Sequence, residues 1–154
     1  MNDIVRSGLA GAVATGVMTV VILGGKISGL LQTPPPKHIA KRLSQEVAGK
    51  NPQATSEAAF DGIWLSAHLA FGVACGCGYG LLRSRLPLLI PKNTLLAGLV
   101  YGLGVWSVSY LGLMPVLGLY PWPEKDSSSR TGVMIAAHAV FGVSLAEVDQ
   151  RLSR

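Results

Sequence analysis

Charge is what this 154-residue chain has least of, with Asp, Glu, Lys and Arg supplying only 14% of it. The deficit is local. Residues 7–25, 62–82, 94–118 and 131–146 contain none of the four, so every charged residue lies outside these windows. A soluble helix carries charge on its outer face, and four uncharged helices cannot all be interior, which argues against a soluble bundle. A bilayer core about 30 Å thick is crossed by about 20 apolar residues rising about 1.5 Å each. The windows therefore read as membrane spans. The fourth is the shortest, and Val148 with Asp149, Gln150 and Arg151 is expected to carry it into the headgroups, where long side chains snorkel. A cleaved signal peptide is the other reading of the first segment, but its length and its later echo in the chain argue against that.

Cysteine is scarce too, and the only two, Cys75 and Cys77, sit two apart on one helix. Their side chains diverge by roughly 200°, which excludes a disulfide between them and makes a poor metal pair. The chain lacks a phosphate loop, a Ser-His-Asp set with a membrane-embedded acid and a His-Glu-x-x-His helix. No catalytic residue and no metal site is expected, and the chain does not read as an enzyme. The net charge of +5 comes from basic residues flanking the spans. Anionic lipid headgroups suffice as their partner, and nucleic acid is not implied.

What the chain does have is an internal echo. At an offset of 87, Leu9, Ala10, Gly11 and Val13 fall on Leu96, Ala97, Gly98 and Val100, and Pro34 and Pro36 fall on Pro121 and Pro123. At an offset of 70, Ala67, His68, Phe71, Gly72 and Val73 fall on Ala137, His138, Phe141, Gly142 and Val143. This predicts an all-α polytopic membrane protein of four transmembrane helices, arranged as two tandem helical hairpins. Each unit has an even number of spans, so the copies are parallel, related by a pseudo-twofold along the membrane normal. The expected bounds are 7–83 and 94–150 for the repeats and 7–28, 62–82, 94–118 and 131–148 for the spans, all in one domain, 1–154.

Phe60, Trp64, Tyr120 and Trp122 mark one membrane interface. Residues 37–48 read as an amphipathic helix lying along it, with Ile39, Ala40, Leu43 and Val47 opposite Lys37, Lys41 and Arg42. The second loop is short and basic without an acid, which points to cytoplasmic termini.

His68, Gly72, Gly76 and Gly80 recur every fourth residue, and His138, Gly142 and Ala146 repeat the pattern. Small residues at this spacing let helices approach closely, so Gly72, Gly76, Gly80, Gly98, Gly102 and Gly142 read as packing positions. An imidazole inside a span is costly and by default suggests function. His68 and His138 share one depth and could face each other across the bundle axis. Three readings stay open for this intramembrane polar pair. Each ring could hydrogen-bond a neighbouring helix, with Thr15, Thr19, Ser66, Ser107, Ser109 and Ser144 at hand. The pair could relay protons or a small ion, although no intramembrane carboxylate stands ready as a partner. Or they could ligate haem between them, with Gly72 and Gly142 leaving room for the macrocycle. His38, in the basic surface segment, reads as solvated.

Three stretches, Pro35-Pro36-Lys37-His38-Ile39 with Lys41-Arg42-Leu43, Tyr101-Gly102 through Trp106 to Ser109-Tyr110-Leu111-Gly112, and Met134-Ile135-Ala136-Ala137-His138 with Gly142, carry a resemblance. The chain resembles the YagU-like group of small bacterial inner-membrane proteins. That resemblance implies a bacterial plasma-membrane location and supplies no activity, cofactor or site residue. The resulting expectation is a multi-pass inner-membrane protein acting as an accessory or structural component in contact with the lipid bilayer, other membrane proteins or further copies of itself. A proton or small-solute conduit through His68 and His138 is the alternative, and a bis-histidine haem protein the second alternative.

Overall fold

The computed structural model describes residues 2–31, 57–85, 93–118, 122 and 126–154. Among them there are helices and no strands. Helix α1 spans Asp3–Ile27, α2 spans Glu57–Arg85, α3 spans Thr94–Ser107 and α4 spans Ser128–Leu152. Among the described residues four helices are long and apolar enough to cross a membrane: Asp3–Ile27, Gly62–Arg85, Thr94–Val116 and Ser128–Leu152. Segment 37–48, the side chain of Phe60 and Tyr120 lie outside the described residues.

Local chemistry sets the helix ends. The Asn2 side chain accepts the Ile4 N–H at 2.9 Å, and the Asn93 side chain accepts that of Leu96 at 3.0 Å. Ser127 caps α4 in the same way, taking the Arg130 N–H. These caps satisfy amides that the first helical turn leaves without partners. Gly29 stops α1 in the left-handed region (φ 76°), which glycine enters without a Cβ penalty. The turn brings the Leu31 N–H back to the Gly25 carbonyl at 3.0 Å and folds the Leu31 side chain into the core.

The third span is not the uninterrupted α-helix that its apolar run suggests. Beyond Ser107 it widens into a π-helical stretch, Val108–Leu113, before a last turn at Met114–Val116. Pro115 has no N–H to give the Leu111 carbonyl and its ring crowds that group. The widened turn lies directly ahead of it.

Helix α1 packs between α2 and α4, and α3 packs on α4. The α2–α3 side is joined through Tyr101 of α3, whose hydroxyl donates to the Cys75 carbonyl at 2.6 Å and whose ring meets that of Tyr79 edge-on. Ala10, Ala14, Ala137, Leu145 and Ala146 form the tightest part of the core. Val5, Leu9, Val20, Val100, Val108 and Val116 point outward. An apolar exterior around a core of small residues inverts the soluble pattern and suits lipid as the solvent.

Candidate functional site

The glycines of α2 lie against α1 with no space to spare. A Cβ on Gly72 would run into the Thr15 hydroxyl, and one on Gly76 into the Ser7 carbonyl and within 3.0 Å of the Gly11 Cα. One on Gly80 would come within 2.6 Å of the Ser7 hydroxyl. A second seam joins α3 to α4. There a Cβ on Gly102 would strike the His138 carbonyl and one on Gly142 the Gly98 carbonyl, with the Gly102 and Gly142 backbones themselves in contact. Backbone-to-backbone approach of this kind supplies dense dispersion contact where lipid gives no hydrophobic drive. It also corrects the expectation that Gly72 and Gly142 leave room for a macrocycle beside the histidines, because neighbouring helices fill that room.

Both imidazoles turn into the bundle, His138 buried and His68 half-buried. His138 is 9% exposed. Its Nδ1 lies 2.8 Å from the Met134 carbonyl of its own helix. A carbonyl only accepts, so Nδ1 carries the proton and the lone pair is on Nε2. His68 stands beside Trp64, with ring centroids 6.1 Å apart, and its Nε2 is buried with no hydrogen-bond partner. Trp64 is itself buried. The bond to a neighbouring helix expected of each ring is therefore absent for His138 Nδ1 and for His68 Nε2. Four of the six hydroxyls that could have served turn to their own helices: Thr15 donates to Gly11, Thr19 to Thr15, Ser66 to Gly62 and Ser107 to Leu103.

The strongest polar constellation is one that sequence reasoning missed. The Asp149 side chain is 0% exposed, inside the bundle. Its Oδ1 accepts from Ser7 Oγ at 2.7 Å and from Arg6 Nε at 3.0 Å, and its Oδ2 accepts from Arg83 Nη1 at 2.9 Å. One carboxylate thus ties α1, α2 and α4 together. Arg6 also bridges to Asp3. The signal available in the sequence was its register. Asp149 follows His138 by eleven residues, about 20° apart around a helix, so whatever buries the imidazole buries the carboxylate. At the opposite end, the Tyr110 hydroxyl donates to Asp126 at 2.6 Å and lies 3.2 Å from the Thr131 hydroxyl, fastening the π-helical stretch to α4. Arg130 pairs with Asp126 at 2.8 Å.

These carboxylates do not serve the histidines. Eleven residues of helix hold Asp149 about 16 Å from His138 along the axis, and both acids are engaged by arginine. The two cysteines are free thiols. No protein-family model matches the chain, and neither the curated proteins nor the solved structures contain a match.

Proposed function

We propose that this chain is an accessory or structural component of a bacterial inner membrane, a tightly packed four-helix bundle whose partners are the lipid bilayer and neighbouring membrane proteins or further copies of itself. The observation that carries this reading is the pair of glycine seams, at which α1 and α2, and again α3 and α4, meet backbone to backbone. Such an interior suits packing better than passage. Fully buried Ala10, Ala14, Leu145 and Ala146 occupy the region between the level of His138 and the Asp149 clasp.

The seams also support descent from a duplicated hairpin. Gly11 meets the Gly72 carbonyl and Gly76, while Gly98 meets the Gly142 carbonyl and Ala146. These are the pairs that the two sequence offsets relate. The resemblance to the YagU-like group agrees with an inner-membrane location.

A conduit remains the second reading because His68 Nε2 is buried and unsatisfied, an atom that water or a proton carrier could use. Proteoliposomes separate the two. An accessory bundle leaves proton flux at the level of protein-free vesicles, whereas a flux that His68→Ala eliminates would establish the conduit instead.

A further inference from the structure

We propose that Met18, His68 and His138 form a three-ligand site for a soft monovalent metal ion, copper(I), in the core of the bundle. The inference goes beyond the accessory reading and does not depend on it.

The three side chains share one depth. Ser7 meets Asp149 and Gly25 meets Val133, so α1 and α4 run antiparallel in a register that sets Met18 opposite His138. Gly11 meets Gly76 and Thr15 meets Gly72, which continues α1 against α2 until Met18 and Thr19 stand opposite His68.

They also share one direction. At about 100° per residue, Met18 lies about 20° from Ser7 and Gly25 on α1, both in contact with α4. His138 lies about 20° from Asp149, whose carboxylate reaches inward to α1 and α2. His68 lies about 20° from Cys75 and from Tyr79, both of which meet Tyr101 across the bundle. All three helices therefore turn these residues toward the axis. Met18 and Met134 belong to the same buried core cluster.

The chemistry of the donors selects the ion. His138 gives its Nδ1–H to the Met134 carbonyl, the outer bond by which a ligating histidine is oriented with its Nε2 lone pair toward a metal. His68 Nε2 is buried with nothing to bind, and ligation would satisfy it. Among the described residues no three His, Cys, Asp or Glu side chains converge, so a hard or borderline divalent ion has no anionic set to neutralise it. Two neutral imidazoles with a thioether suit a single positive charge, and thioether ligands favour copper(I). The ion binds in its reduced form, so no electron moves, and the neutral rings release no proton.

The test uses the purified full-length chain in lipid nanodiscs, loaded with copper(I) under reductant in competition with a copper(I) chelator. One ion per chain is expected to be retained, and X-ray absorption should show nitrogen neighbours with one sulfur. Met18→Leu, which keeps the core volume, should remove the sulfur shell and weaken retention at least tenfold. His68→Ala and His138→Ala should each abolish stoichiometric retention. The double variant Cys75→Ser/Cys77→Ser should bind as the native chain does. Failure of the native chain to retain copper(I) would overturn the site without reliance on any variant. So would a sulfur shell that survives Met18→Leu and vanishes in the cysteine double variant.

Discussion

Ser7 and Asp149, 142 residues apart in the chain, are joined by a hydrogen bond of 2.7 Å between side chains that are both fully buried. The bond, with the two arginines that share the carboxylate, fastens the start of α1 to the ends of α2 and α4. Removing one partner of a buried ion pair leaves the other charge unpaired, at a cost of about 3–5 kcal/mol in a fully enclosed site. Arg6 and Arg83 keep partial contact with the surface, so the loss here falls at the lower end.

Asp149→Ala is therefore expected to lower bundle stability in detergent by about 3 kcal/mol. Arg83→Ala should cost less, since its side chain is 40% exposed and Arg6 and Ser7 still hold the carboxylate. Thermal unfolding of both variants checks the order. An Asp149→Ala variant as stable as the parent would show that the clasp contributes nothing.

Topology offers an independent check. Four spans put both ends of the chain on one side of the membrane, so reporters fused at Met1 and after Arg154 must give the same compartment, and one placed between α1 and α2 must give the other. Opposite readings at the two ends would refute the four-span arrangement.

Haem ligation is expected to be absent, because the space beside each histidine is taken by neighbouring helices. Protein purified after expression with ample haem should show no haem absorption band. A strong band lost in both His68→Ala and His138→Ala would reverse that expectation and show that the seams open.

The spans were legible in the sequence because the bilayer imposes a coarse rule, an uncharged run of sufficient length, and the runs before Gly25 and after Gly62 obey it. Glycine at every fourth residue was legible for a similar reason, since helical period alone fixes which positions share a face. The burial of Asp149 was not legible, because it depends on Arg6 and Arg83 reaching back from other helices. The π-helical turn depended on Pro115, whose missing N–H could as well have produced a simple kink. Met18 gave no sign at all. A methionine within an apolar run reads as filler until the register between helices places it opposite an imidazole.

The most direct measurement of the sealed glycine interior compares two residues of α3 that lie two positions apart. Gly102 faces the Gly142 backbone, while a Cβ at Gly104, on the exposed side of the helix, would meet nothing within 4 Å. Overpacking a dense core costs about 1–3 kcal/mol when side chains can yield, and a helix backbone yields less. Gly102→Leu should therefore lower the thermal unfolding temperature in lipid nanodiscs steeply, and Gly104→Leu should leave it within error of the parent. Equal effects from the two substitutions, or no effect from either, would contradict a bundle held together at its glycine seams.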